Sequence, residues 1–286
     1  MNILITGASG FIGTNLSKYL YNSGFILESL DLGQPITIEL KATYLWDDLI
    51  NLNINHIDTI IHLAGKAHDT NNIADAQSYF AINTGLTQKI FDKFLESDAQ
   101  KFLFFSSVKA AADKVMEGSL NEDVIPSPIG PHGESKIKAE EYILAKMANN
   151  SDRMTCKKVY ILRPCMIHGP GNKGNLNLLF KFVSKGIPWP LGSFDNNRSF
   201  TSIDNLSFII EQIIKHDIES GIYNIGDDEP LSTNQLIKLI SQSVGKKSHI
   251  WNVPKVLVIA FTKMGDILHL PLNSFRLQKL TENYVV

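Results

Sequence analysis

Two cysteines, Cys156 and Cys165, are all that 286 residues contain. They are too few for a disulfide framework and lack the paired spacing of a zinc site, so no metal is expected. No apolar run approaches the ~20 residues a membrane span needs; the longest goes only from Val256 to Phe261. Basic clusters are missing and the formal charge is −2, which argues against a nucleic-acid surface. A strand pattern starts at residue 2, leaving no room for a signal peptide. Repeats and low-complexity tracts are absent as well. The expectation is a soluble cytoplasmic chain with neither nucleic acid nor membrane as partner. At 44% hydrophobic and 20% charged, it has the composition and length to bury a full core.

What is present begins with thirteen residues. Asn2 to Thr6 read as a short buried strand, and Gly7, Gly10 and Gly13 follow at spacings of three. An apolar helix face continues through Phe11, Ile12, Leu16 and Leu20. A glycine at 7 permits a tight turn, at 10 a close approach of backbone N–H groups to a pyrophosphate, and at 13 close packing of the new helix. The helix N-terminus adds unpaired donors and a positive dipole end. Asp31 closes a second strand (26–32) eighteen residues past Gly13. A carboxylate there takes the two ribose hydroxyls of an adenosine and repels a 2′-phosphate. With no Arg or Lys in 32–40, the expected cofactor is NAD rather than NADP.

Strands are expected at 43–46, 58–65, 101–105 and 159–162, and helices at about 77–97 and 132–148. This alternation through 1–165 predicts an α/β fold with a doubly wound parallel sheet. From 166 to 286 the pattern is mixed. Helices are expected at 175–185, 204–215 and 232–243, strands near 198–201 and 222–225, and a helical tail over 254–286. That part is predicted to form a smaller mixed α/β substrate lobe, with some segments returning to the first domain. Leu63, Ala64 and Gly65 end a strand in small residues where a cofactor passes close. Ser106 and Ser107 end another strand. At a helix start, His132 and Lys136 stand four apart and so share one face.

Together these pieces resemble an extended short-chain dehydrogenase/reductase of the NAD-dependent nucleotide-sugar epimerase/dehydratase family. The resemblance rests on TGASGFIG at 6–13, DLG at 31–33, DTIIHLAG at 58–65, Asn83 in FAINTG and FFSS at 104–107. It continues through GESKIKAEE at 133–141, LRPCMIHGPG at 162–171 and NRSFTSIDN at 197–205. SSVKAAAD and the tail LPLNSFRLQKLTENYVV are similar to a bacterial surface-polysaccharide subgroup that handles N-acetylated UDP-hexosamines. The ending at Val286 is early for that subgroup, so a last element is expected to be missing.

The resemblance implies an NAD-binding Rossmann domain over 1–165. Gly7, Gly10, Phe11, Ile12, Gly13, Asp31, Leu63, Ala64, Gly65, Asn83, Lys136, Pro164 and Met166 would line the cofactor, with Trp46 either beside the adenine or in the core. Ser107, His132 and Lys136 would form the catalytic group. Ser107 would hydrogen-bond the sugar 4-oxygen while hydride passes between C4 and the nicotinamide. Arg198 would grip the substrate pyrophosphate and Asn175 touch the uracil. His62 reads as a packed strand residue, and Lys66 and His68 as solvated loop residues or walls of the sugar pocket. The helices near 77–97 and 132–148 resemble the pair through which the family dimerises, which implies a homodimer.

One position departs from the family: a Tyr is expected where His132 stands. Imidazole is shorter than phenol, and a cationic Lys136 with an oxidised nicotinamide would hold its pKa below the reference of about 6.5. Val108 and Lys109 replace the Asp-Glu pair of the 4,6-dehydratases. The function implied is a 4-epimerase of a UDP-hexose or UDP-N-acetylhexosamine. The alternatives are a C4 reductase/dehydrogenase of the same family, or a catalytically impaired protein that binds NAD and nucleotide sugar.

Overall fold

The computed structural model describes residues 1–33, 39–67, 75–115, 118–172, 174–268 and 273–286. His68 falls outside these, as does the side chain of Asn175. The strands are β1 (Asn2–Thr6), β2 (Ile26–Asp31), β3 (Leu40–Leu45), β4 (Thr59–His62), β5 (Lys101–Phe105), β6 (Lys158–Pro164), β7 (Met166–His168), β8 (Phe200–Ser202) and β9 (Gly221–Ile225). The first helices are α1 (Phe11–Asn22), α2 (Ala76–Tyr79), α3 (Leu86–Glu96), α4 (Val108–Ala111), α5 (Pro131–Asn149) and α6 (Ser151–Met154). They are followed by α7 (Asn175–Ser184), α8 (Ile203–Lys215), α9 (Thr233–Ser243), α10 (Lys255–Leu268) and α11 (Ser274–Thr281).

The chain divides into two compact units. The first comprises Met1–Asp113, Asn121–Gly171 and Thr201–Gly226. Seven of its strands run parallel in the order β3-β2-β1-β4-β5-β6-β9. The chain builds outward from β1 to β3, then returns to lay β4 on the other side of β1. A crevice therefore opens at the C-terminal ends of β1 and β4, the usual ligand position in an open α/β sheet. Alternate residues of each strand feed two cores. Ile3, Ile5, Leu27, Leu103 and Leu162 pack with Leu16, Leu20, Leu206 and Ile210 of α1 and α8. Leu4, Ile60, Phe102, Phe104 and Ile161 pack with Ile90, Phe94, Ala139 and Ile143 of α3 and α5. Because both faces are covered, the strands read as nearly continuous apolar runs.

The first unit runs on past residue 165 to Gly171, and Lys114–Leu120 belongs to the second. After an excursion, Thr201–Gly226 returns to the first unit, and β9 pairs with β6 from Tyr160↔Gly221 to Pro164↔Ile225. Buried on both faces, β6 would otherwise leave an open edge. The helix expected over 77–97 is interrupted too: Phe80–Gly85 forms a π-helical turn between α2 and α3.

The second unit comprises Lys114–Leu120, Asn172–Phe200 and Asp227–Val286. Its core is small, built from Val183, Trp189, Leu191, Ile237, Ile240, Val258 and Leu277. Single bridges such as Trp189↔Ile250 and Leu191↔Asn252 tie its extended segments together.

Candidate functional site

Gly7 ends β1 with a φ of +73°, a backbone that only glycine adopts without strain. A Cβ there would also stand 2.9 Å from the Cα and N of Ala64 at the end of β4. At Gly13 a Cβ would press on the turn itself, 2.4 Å from the Gly7 carbonyl oxygen and 2.6 Å from the Ala8 Cα. At Gly10 the nearest atom is the Gly7 oxygen at 3.3 Å. The turn is thus closed against protein at positions 7 and 13 and more open at 10. Phe11 and Ile12 begin α1 half-buried on the first core. Asp31 reaches back to this turn. Its carboxylate accepts hydrogen bonds from the Ser9 N–H and the Leu32 N–H, each at 2.8 Å.

Below the crevice lies a directed chain of hydrogen bonds. Thr87 Oγ1 donates to the Asn83 carbonyl (2.6 Å), so it accepts from His62 Nε2 at 2.9 Å. His62 Nδ1 then accepts from Thr6 Oγ1 (2.6 Å), which itself accepts the Ala64 N–H (3.1 Å). Burial first, and then the nearby Lys136 charge, hold the His62 pKa well below its ordinary value. A neutral imidazole of fixed tautomer ties β1 to β4, as expected of a packed strand residue.

Asn83 sits on the π-helical turn, fully buried. Such turns point a side chain inward that an α-helix would leave at an angle, and they concentrate at functional sites. Its Oδ1 accepts from the Lys66 N–H (2.6 Å), and its Nδ2 donates to the Lys66 carbonyl (3.0 Å) and Ser135 Oγ (2.8 Å). Ser135 in turn donates to the His132 carbonyl at 3.0 Å. The loop after β4 and the start of α5 are thereby fastened together. Lys66 is not the solvated residue of the sequence reading. Its Nζ donates to Ser78 Oγ (3.0 Å) and lies 5.1 Å from the Tyr79 ring centre.

His132 opens α5 with its Nδ1 3.2 Å from the Lys66 carbonyl. A carbonyl only accepts, so Nδ1 carries the proton and in the neutral ring Nε2 holds the lone pair. The Tyr79 ring meets it edge-on at 6.4 Å. One turn further on, Lys136 is 5% exposed and donates to the Phe105 carbonyl at 2.6 Å. Burial pushes its pKa down to about 8, against the opposing pull of Glu140. A Cβ on Gly65 would stand 3.0 Å from both Lys136 Nζ and Asn83 Oδ1, so only glycine keeps the space beside the ammonium. Two residues past Phe105, Ser107 caps α4 and accepts from the Lys109 N–H at 3.2 Å. Pro164 ends β6, and Met166 begins β7. Trp46 starts the 3₁₀ turn after β3, partly buried on the second core and edge-on to His62.

Glu140, Arg163 and Ser106 had no assigned role in the sequence. Glu140 is fully buried and receives Arg163 through Nε (3.1 Å) and Nη2 (2.5 Å), while Ser106 Oγ donates to it as well. The only sequence signal was position: Glu140 lies four residues after Lys136, on the same face of α5. In the second unit, Arg198 exchanges backbone hydrogen bonds with Leu231, and its Nη2 lies 3.7 Å from Glu282 Oε1. Burial lowers its pKa, with Glu282 and then Tyr284 opposing. Asn175 begins α7.

These residues fit a dinucleotide. A glycine turn leads into the N-terminus of a twelve-residue helix, a carboxylate stands at the end of the next strand, and a side-chain-free position flanks a buried ammonium. Among relatives, the UDP-glucose 4-epimerase of Vibrio cholerae is 29% identical over 264 residues, covering 88% of this chain and 78% of the relative. The N-acetyl-alpha-D-glucosaminyl-diphospho-ditrans,octacis-undecaprenol 4-epimerase of Escherichia coli O157:H7 is 27% identical, covering 93% and 80%. The solved structure of MoeE5 with UDP-glucuronic acid and NAD superposes with a TM-score of 0.72 at 25% identity, over 87% of this chain and 84% of that one. The model of the NAD dependent epimerase/dehydratase family matches residues 3–226. The chain belongs to that family, and its cofactor is NAD.

Proposed function

We propose that the chain is a 4-epimerase of a UDP-hexose or UDP-N-acetylhexosamine. The observation that carries this reading is the hydrogen bond from His132 Nδ1 to the Lys66 carbonyl. It turns the imidazole into a group with a defined basic nitrogen, Nε2, at the place where the resemblance puts the family's proton acceptor. In this reading Ser107 hydrogen-bonds the sugar 4-oxygen, and His132 takes its proton and later gives it back. Lys136 holds the nicotinamide ribose. The cofactor, when bound, supplies the two-electron acceptor and donor that inversion at C4 requires. Arg198 and Asn175 serve the pyrophosphate and the uracil, and the active form is a cytoplasmic homodimer serving polysaccharide synthesis.

Elimination chemistry finds no support at the position after the serine. Val108 is buried, and Lys109 Nζ is committed to the Asp113 carbonyl at 2.6 Å. The Asp31 carboxylate suits retained NAD, which favours epimerisation over a reductase with exchangeable cofactor. The E. coli relative is named for a sugar carried on undecaprenyl diphosphate. A polyprenyl-linked N-acetylhexosamine is therefore a second carrier worth testing beside UDP.

The test combines native mass spectrometry for retained NAD with incubation against UDP-hexoses, UDP-N-acetylhexosamines and the polyprenyl-linked sugar. C4 epimers are expected to interconvert without added cofactor. His132→Ala is expected to lose about 10²–10⁴-fold in rate while NAD stays bound, and His132→Tyr to retain turnover. Consumption of added NADH would replace the epimerase with a reductase. No conversion by wild type or His132→Tyr, with NAD still bound, would leave a binding protein.

A further inference from the structure

Helix α10 inverts the usual arrangement of a surface helix. Only Val258, Thr262 and Gly265 are buried along its length, at spacings of four and three. The larger apolar side chains look outward instead: Val256 is 77% exposed, Leu257 56%, Phe261 65%, Met264 44% and Leu268 59%. At 100° per residue, Leu257, Phe261, Met264 and Leu268 form one stripe, with Val256 flanking it. Lys255, Lys263 and Asp266 fall together in the sector between this stripe and the buried face. The result is a helix with three sectors, one packed, one charged and one apolar and uncovered. Trp251, just before it, is 57% exposed, and Phe275, at the start of α11, 65%.

The surrounding charge indicates what covers this stripe. Residues 246–286 hold six basic side chains (Lys246, Lys247, Lys255, Lys263, Arg276 and Lys279) against Asp266 and Glu282. That segment carries +4 in a chain whose net charge is −2. A helix with an apolar face, a cationic flank and exposed aromatics at its ends is what an anionic bilayer surface takes up in the interfacial plane. None of the described helices is long and apolar enough to cross a membrane, and none is needed for this mode of binding. We propose that the α10 stripe, with its lysine flank, docks the second unit on an anionic phospholipid surface. This revises the expectation of no membrane partner. It is independent of which sugar the first unit turns over.

Co-sedimentation of the full chain with vesicles of phosphatidylcholine, or with about a quarter phosphatidylglycerol, tests it. Binding to the anionic vesicles is expected to be at least about tenfold tighter and to weaken as salt rises to about 0.5 M. Phe261→Glu is expected to reduce it at least about tenfold, because it places a charge in the apolar stripe. Phe208→Glu, at a phenylalanine on α8 that is 54% exposed, is expected to leave it unchanged. The pair Lys255→Glu and Lys263→Glu, both at exposed sites, is expected to abolish the preference for anionic lipid, and Lys263→Glu alone, which leaves Lys255 over the Phe194 ring, to weaken it. Failure to bind either vesicle overturns the proposal, as does binding indifferent to Phe261→Glu or to the lysine reversals. So does a lipid-independent dimer that Phe261→Glu dissociates, since the stripe would then be a contact between copies.

Discussion

Among the described side chains each unit holds one inward-facing arginine, and the two are treated differently. In the first, Arg163 is 2% exposed and lies bidentate on Glu140, which also receives Ser106 at the end of β5. In the second, the Arg198 side chain keeps 18% of its surface and stands 3.7 Å from the nearest carboxylate oxygen, on Glu282. A charge pair closed on itself cannot serve a ligand, but it can fix the strand ends that carry one. A looser pair can exchange its partner for an anionic substrate group. The comparison separates a platform from a proposed grip.

The largest expected effect comes from opening the platform. Arg163→Met removes one partner and leaves Glu140 buried without its bidentate cation, which costs about 3–5 kcal/mol. Urea denaturation followed by circular dichroism measures the loss. Adding Glu140→Leu is expected to recover most of it, because the cost comes from the stranded charge rather than from lost packing. A single variant as mild as the matching change at Arg198 would erase the distinction between the units.

Next in size is a pH effect confined to the first unit. Burial lowers the Lys136 pKa from 10.5 to about 8. Below pH 8 the lysine is charged in both states, and the folded chain bears the full cost of burying it. Between 8 and 10.5 the folded form sheds its proton while the unfolded form keeps it, so stability rises with pH. The rise is bounded at about 3 kcal/mol, and neighbouring titrations reduce it. Lys136→Met is expected to remove this component of the urea midpoint's climb above pH 8. A climb of equal size in the variant would place its origin elsewhere.

How much of this was legible follows from what each interaction spans. The glycine turn, Asp31 and the His132–Lys136 pair announce themselves because each needs particular residue types at short spacing, which the chain itself displays. The return of β9 to β6 is half legible: the mixed pattern lets some later segment come back, but pairing across some sixty residues leaves no local mark of which one. The π-helical turn at Phe80–Gly85 was hidden for another reason: its apolar positions fit an unbroken helix, and only the buried Asn83 betrays the inserted turn. Glu140 sits in GESKIKAEE at 133–141, yet its partners come from β6 and the residue after β5 and so could not be read from α5. The exposed stripe of α10 was visible as apolar residues, but a sequence does not say whether apolar residues are covered.

The smallest expected effect belongs to the grip. Arg198→Met exchanges a partly buried cation, pulled on by Glu282, for an apolar chain of similar reach, and stability is expected to fall less than at Arg163→Met, because Lys279 stays 3.6 Å from the same carboxylate. If the arginine holds the substrate pyrophosphate, the loss appears in binding. KM for the nucleotide sugar is expected to rise about tenfold or more while kcat changes little, since a charge-assisted contact far from C4 acts alike on ground and transition states. Arg198→Lys keeps the charge and removes the two-pronged fork, so a KM between wild type and the methionine variant assigns the contact to bidentate geometry. Glu282→Gln supplies the converse: with the competing carboxylate neutralised, KM is expected to fall. A stability loss at Arg198→Met matching that at Arg163→Met, with KM unmoved, would make it a second closed pair and leave the pyrophosphate to other residues.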